Sequence, residues 1–201
     1  MSWIKTIPFA EATGQLKKMY ERIKGPNDLV DNVLTIHSLR PHTLHAHMGL
    51  YKSVLHHSGN SLPKWYLEAL GVYTSYLNKC DYCFQHHFAG LTKLLKNENQ
   101  AEHFRLAVEN NTLKDFFDAK WMVGMVYCKI ITEEAAATQQ EHVEELRKVG
   151  FSDGEILEIN QVVSYFNYVN RSVLGLGVTL KGDVLGLSPK DSDDPNNWSH
   201  S

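Results

Sequence analysis

Cysteine is scarce in this chain: three among 201 residues, at positions 80, 83 and 128. Three cannot build the multi-bridge framework that staples small secreted domains, so the fold must be held by a core. The 13 glycines never gather into a GxGxxG or P-loop pattern, so no nucleotide cradle is encoded. No stretch approaches the ~18 consecutive apolar residues of a membrane-spanning helix. Neither sign of charge dominates: Lys+Arg 20 against Asp+Glu 23 leave a formal net charge of -3. No run of basic residues interleaves with aromatics, which argues against nucleic acid as a partner. The opening Met1-Ser2-Trp3-Ile4-Lys5 lacks the basic-then-apolar pattern of a secretory signal. A cytoplasmic protein without a membrane partner is the expectation. With 43% hydrophobic residues the chain can bury a sizeable core as one domain.

What is present is helical periodicity. Ala12, Leu16, Met19, Tyr20 and Ile23 recur at three- and four-residue intervals, predicting a helix over 11–24 that Gly25-Pro26 stops. A short segment over 29–39 follows, and Arg40-Pro41 opens a histidine-rich helix to about His57. Ser61 is read as the N-cap of the next helix, with Pro63 in its first turn and Leu67, Leu70, Tyr73, Thr74 and Leu77 at helical spacing. Further helices are expected from Cys80 to about Leu95 and from Ala101 to Val108. Thr112 with Asp115 is read as capping an apolar helix over 116–131, expected to be the central buried one because it is hydrophobic almost all round. Capping boxes at Thr138-x-x-Glu141 and Ser152-x-x-Glu155 start helices to about Val149 and about Tyr168. The fold class is therefore all-α, a single-domain helical bundle over 1–180. A tail over 181–201 has no helical period, and is expected to be mobile or docked on a partner, with Trp198 as an anchor to a neighbouring subunit.

The chemistry concentrates in Cys80-Asp81-Tyr82-Cys83-Phe84-Gln85-His86-His87. On a helix Cys80 and Cys83 are i and i+3, and Cys83 and His87 are i and i+4, so two thiols and an imidazole share a face. A helix N-terminus and a neighbouring imidazolium both lower a thiol pKa from its usual ~8.5. Three readings compete. A zinc site needs four ligands, and the remaining cysteine, Cys128, has no companion, so no metal is expected. Two buried thiols beside a satisfied histidine would be purely structural. A redox dithiol is the third reading, and the one adopted. Cys128 itself is most simply a core residue. The histidines at 42, 45, 47, 56 and 57 have no Asp, Glu or Cys among them and read as a solvated or interface face. Glu68, ordinarily a solvated carboxylate at mid-helix, lies where a hairpin broken at Asn78-Lys79 would bring it toward Cys83 and His87.

Glu68 followed by Cys80-x-x-Cys83-x-x-x-His87 resembles the signature of the alkyl hydroperoxidase D-like proteins, within the carboxymuconolactone decarboxylase superfamily, and in particular their peroxidase-related branch. The likeness extends to Trp3-Ile4 with Ile7-Pro8-Phe9, Glu11-Ala12-x-Gly14-x-Leu16, Arg40-Pro41, Phe151-Ser152-Asp153-x-Glu155-Ile156 and Phe166-Asn167-x-x-Asn170-Arg171. By resemblance, Glu68, Cys80, Cys83 and His87 are the catalytic residues of a thiol-dependent peroxidase. Cys83 would be the histidine-linked thiolate, Cys80 its disulfide partner, and His87 with Glu68 the proton relay. A hydroperoxide and an external dithiol would be the small-molecule partners, no cofactor would be needed, and the chain would assemble as a homo-oligomer, a trimer or hexamer. Tyr51, Trp65 and Phe88, expected to be exposed, are aromatics compatible with such interfaces. The founding enzymes carry a histidine just before the second cysteine, where this chain has Tyr82. A tyrosine is a poor base near neutral pH, so a shorter relay and weaker peroxidase activity are expected, with Tyr82 and His86 in the relay or at its rim. Asn167, Asn170 and Arg171 read from the residues alone as capping groups near a helix end. The competing class is a non-catalytic redox-sensing oligomer whose dithiol toggles subunit contacts.

Overall fold

The computed structural model describes residues 2–194 and 197–199, and every described regular element is helical. The chain runs through α1 (Gly14–Ile23), the short α2 (Asn32–Thr35), α3 (Pro41–Leu55), α4 (Lys64–Leu77), α5 (Asp81–Leu95), α6 (Glu98–Glu109), α7 (Ala119–Glu133), α8 (Gln140–Lys148) and α9 (Asp153–Gly175). No described helix is long and apolar enough to cross a membrane.

Local chemistry sets most boundaries. Ser152 and Glu155 form the expected capping box: the Glu155 N–H donates to Ser152 Oγ at 3.2 Å, and the Ser152 N–H to Glu155 Oε2 at 2.7 Å. Three expected caps differ. Asp118, not Thr112 with Asp115, caps α7 by accepting from the Trp121 N–H, and residues 113–115 form a separate 3-10 turn. Gln139 replaces Thr138 at the head of α8, where the Gln139 N–H donates to His142 Nδ1, while the Thr138 hydroxyl oxygen is buried without a partner. Pro63 occupies the cap of α4, and the backbone N–H groups of Ser61 and Leu62 donate instead to the Glu158 carboxylate, each at 2.8 Å.

The central helix is α4, not α7. Its residues from Tyr66 to Ser75 are all buried, because α5, α7 and α9 pack around it. The apolar sequence of α7 covers one side only, and Val126 there is exposed. Each fully buried Leu or Val on α4 contributes roughly 1.5–3 kcal/mol through removal from water. Two glycines allow the close approach: a Cβ on Gly71 would come within 2.2 Å of the Phe166 ring on α9, and one on Gly124 within 2.0 Å of the Tyr66 hydroxyl.

The segment after α9 has no helical period, as its composition implies, but it folds back on its own chain. Thr179 and Lys181 accept from the Asn32 side chain, Gly186 accepts from Lys93 Nζ at 2.8 Å, and Lys190 accepts from Lys52. Ser192 bridges to His56 and Ser58. Trp198, expected to anchor to another subunit, is 1% exposed within this chain, edge-on to His45 and under the Arg22 guanidinium. Pro195 and residues 200–201 of the expected tail lie outside the described residues. Tyr51 is also buried rather than surface-facing, and Trp65 and Phe88 are half-buried.

Candidate active site at the head of a helical hairpin

The turn between α4 and α5 is what aims the dithiol. Lys79 takes a left-handed backbone (φ 57), the Cys80 N–H reaches back to Ser75 O at 2.9 Å and the Lys79 N–H to Tyr76 O at 2.9 Å. This paired bonding is a Schellman motif, which closes α4 and turns the chain within two residues. Cys80 therefore lands at the N-cap of α5, where orphan backbone N–H groups favour negative charge. Both thiols are reduced and buried, Cys80 1% and Cys83 3% exposed.

The two thiols are hydrogen-bonded to each other, and their proton is unequally held. The Cys83 thiol and its backbone N–H both donate toward Cys80, and these bonds outweigh burial and lower the Cys80 thiol. The same thiol contact, followed by burial, pushes the Cys83 thiol well above its ordinary value, with a bond from Asn170 acting the other way. Both shifts follow from the same contact and favour negative charge on Cys80, which accepts the two bonds, whereas the resemblance gives the thiolate role to Cys83.

Glu68 is 3% exposed on α4, and its Oε2 lies 2.8 Å from His87 Nδ1. Burial raises the Glu68 carboxyl, but the charge of His87 and its hydrogen bond outweigh that and hold it below the usual carboxylate range. An ionised carboxylate only accepts, so Nδ1 carries a proton and Nε2 is the nitrogen left for chemistry. The imidazole is held edge-on to Phe166 at 4.5 Å and to Tyr51 at 6.2 Å.

Glu68, Cys83 and His87 line one cavity of about 50 Å³, together with Tyr51, Tyr165, Tyr82, His86 and, from the C-terminal segment, Gly186 to Ser188. That is room for a few water-sized groups. Tyr82 and His86 share this cavity, but Tyr82 is engaged elsewhere: its hydroxyl donates to Asp183 Oδ2 at 2.5 Å and accepts from the Val33 N–H at 3.1 Å. Burial and the Asp183 carboxylate push its phenol well above the ordinary value, so it is no base. His86 packs on Tyr82 and lies 3.4 Å from Asp183, while Asp31, buried nearby, is pushed up to about 6 by burial.

Cys80 lines a different cavity, of about 540 Å³, with Ser75, Tyr76, Leu77, Phe84, Gln85, Arg105 and Glu109. Cys128 belongs to neither. It is buried against Thr74, and burial pushes its thiol up to about 12. Among the described residues no group of three or more His, Cys, Asp or Glu is placed to hold a metal ion. His47 and His56, expected on a solvated or interface face, are both buried.

Asn170 was misread from the sequence as a capping group. It lies inside α9, fully buried, donates to Ser75 Oγ at 3.2 Å, accepts from Asn78 at 3.0 Å and reaches Cys83. Asn167 accepts from the same Asn78 amide and from Arg171. These two asparagines tie α9 to the hairpin turn. The signal was their i, i+3 spacing on an otherwise apolar helical face.

The chain matches no protein-family model and no curated protein. Its helices do superpose on solved structures. An uncharacterised peroxidase-related protein from Silicibacter sp. TM1040 matches with a TM-score of 0.74 and 24% identity, covering 89% of this chain and 91% of that one. An alkylhydroperoxidase AhpD core, an uncharacterised peroxidase-related protein from Ralstonia eutropha JMP134, gives 0.76 at 22% identity over 92% and 97%. The debrominase Bmp8, as a cysteine-to-alanine variant in complex with 2,3,4-tribromopyrrole, gives 0.70 at 18% identity over 90% and 95%. The helical arrangement, spanning nearly the whole of each, is the alkyl hydroperoxidase D-like fold.

Proposed function

We propose that this protein is a thiol-dependent peroxidase that cycles Cys80 and Cys83 between dithiol and disulfide. The observation that carries this reading is that the buried Glu68, its half-buried partner His87 and Cys83 line one small cavity. The peroxidase-related neighbours support the same direction. As Cys83 attacks the peroxide, its proton passes along the sulfur–sulfur hydrogen bond to Cys80. The Cys83 sulfur bonds to one peroxide oxygen, the O–O bond breaks, and the departing alkoxide or hydroxide takes the proton that the dithiol gave up on ionising, held meanwhile on His87 Nε2 and delivered from there. Cys80 then condenses with the Cys83 sulfenic acid, forming the disulfide and releasing water. Two thiols and one hydroperoxide thus give one disulfide, one alcohol (or water, from hydrogen peroxide) and one water. An external dithiol restores the pair by exchange.

Assembly as a trimer or hexamer belongs to the same proposal, and Leu157, Tyr168 and Leu174, exposed along α9, are surfaces it could bury. The test is steady consumption of hydrogen peroxide with dithiothreitol. The wild type should turn over and the Cys83→Ser variant should not. Normal turnover by Cys83→Ser removes the reading. A single stoichiometric oxidation accompanied by a change of mass in light scattering would establish the redox sensor instead.

A further inference from the structure

Cys80 and Cys83 are one helical turn apart, yet the cavities they line share no residue. The periodicity of α5 explains it: Asp81, Phe84 and Gln85 face the larger cavity with Cys80, while Tyr82, His86, His87 and Gly90 face the smaller one with Cys83. The smaller space holds the acid–base pair and only about 50 Å³. The larger, about 540 Å³, falls within the range of small-molecule sites, roughly 300–1,000 Å³, and holds neither imidazole nor buried carboxylate pair. Thiol–disulfide exchange needs the incoming sulfur in line with the bond it breaks, so a thiol in the larger cavity meets Cys80 with Cys83 as the leaving group.

We propose that the larger cavity binds the reducing dithiol and that Cys80 is the sulfur it attacks, so oxidant and reductant reach the disulfide through separate cavities. The oxidant half rests on the peroxidase reading; the reductant half can be followed without it. The reductant's thiolate bonds to the Cys80 sulfur, the Cys80–Cys83 bond breaks, and its electron pair leaves on Cys83, facing the small cavity again. The reductant's second sulfur, as thiolate, then displaces Cys80 from the mixed disulfide. The reductant ends as a cyclic disulfide, oxidised by two electrons, and its two protons return to the Cys80–Cys83 pair. The walls indicate its chemistry. Tyr76, Leu77 and Phe84 offer apolar surface, and the two cations Lys79 and Arg105 are outnumbered by the three carboxylates of Asp81, Glu109 and Glu133, with Arg105 bonded to Glu109 at 3.0 Å. This lining suits an uncharged or weakly charged dithiol rather than an anionic thiol.

The experiment separates the half-reactions, using dithiothreitol as reductant and hydrogen peroxide as oxidant. Gln85→Trp and Glu109→Trp each narrow the larger cavity; Val33→Phe narrows the smaller. The disulfide is formed with diamide, so reduction is measured even if peroxide proves not to be the substrate. Both tryptophan variants, checked for helical content by circular dichroism, should slow reduction about tenfold or more and leave peroxide oxidation within about twofold, with Val33→Phe doing the reverse. In Cys83→Ser, 2,2′-dithiodipyridine should react with Cys80 more slowly once Gln85→Trp is added, while Cys83 in Cys80→Ser should be indifferent to it. Reduction untouched by either tryptophan variant, or both half-reactions falling together in any variant, overturns the proposal. If the reduced protein forms no disulfide with peroxide, the peroxidase reading fails while the diamide arm still decides this one.

Discussion

His87 Nδ1 and Glu68 Oε2, 19 residues apart in sequence, meet at 2.8 Å beneath the cavity that Cys83 lines. The pair is shielded, with 16% and 4% of the two side chains exposed, so its attraction is little screened by water. A carboxylate in that position orients the imidazole through Nδ1.

Replacing Glu68 by Gln keeps the size and removes the charge. Disulfide formation by hydrogen peroxide at pH 7 should slow about 100-fold, in the range expected for a lost acid–base element, while dithiothreitol reduction of diamide-oxidised protein should hardly change. Because the folded carboxyl is held below its ordinary value, its contribution to stability is present above the unfolded pKa and fades only as pH falls through the lowered one. A Glu68→Gln rate equal to wild type at pH 7 would remove the relay.

Asp31 gives a pH signature of the opposite sign. Burial is the main cause of its shift to about 6 from 3.8; the nearby His86 lowers it and Asp183 raises it, and its Oδ1 is buried without a partner. The folded state therefore holds this proton more tightly than the unfolded state, and the cost of ionising Asp31 appears as pH rises from 3.8 and is complete above about 6. At about 1.4 kcal/mol per unit, Asp31→Asn should stabilise the protein by up to about 3 kcal/mol at pH 8 and by nothing below pH 3.8. Urea unfolding at the two pH values measures it, and destabilisation at pH 8 would refute it.

Gly71 couples packing to the site. An alanine Cβ would meet the Phe166 ring at 2.2 Å, and that ring braces His87. Gly71→Ala should cost about 1–3 kcal/mol from overpacking and slow peroxide oxidation as well. The control is Gly49→Ala inside α3, where no atom lies within 4 Å; helix propensity there predicts a gain of up to about 1 kcal/mol.

Tyr82→Phe deletes the hydroxyl that ties the C-terminal segment down at Asp183. The lost bond and the buried carboxylate left behind should cost about 1–3 kcal/mol. Amide exchange over 181–190 should accelerate. Since Gly186 to Ser188 wall the small cavity, cumene hydroperoxide should gain as an oxidant relative to hydrogen peroxide. Asp183 also accepts from the Asn32 N–H, at 3.0 Å, so unchanged exchange in that segment would show that the Tyr82 hydroxyl is not what holds it.

The helical class was readable because helix formation is local. The apolar spacing of Leu16, Met19, Tyr20 and Ile23, the Ser152–Glu155 box and the shared turn of Cys80, Cys83 and His87 all depend on residues within four positions of one another. The cap errors at Thr112, Thr138 and Ser61 have a different origin. At Ser61 the competing partner is Glu158, 97 residues away, which takes the backbone N–H groups a local cap would have served.

By itself, then, the sequence determined that this is an all-helical chain carrying two thiols and an imidazole on one helix, since propensity, capping and side-chain spacing act over a turn or two. Tertiary structure alone decided that α4 rather than α7 is the core, that Asn170 reaches Cys83, and that Asp183 meets Tyr82 from 101 residues away. It also decided that the two sulfurs open on different cavities. These outcomes turn on which faces of distant helices bury one another, and burial is a property of the packed chain rather than of any window along it.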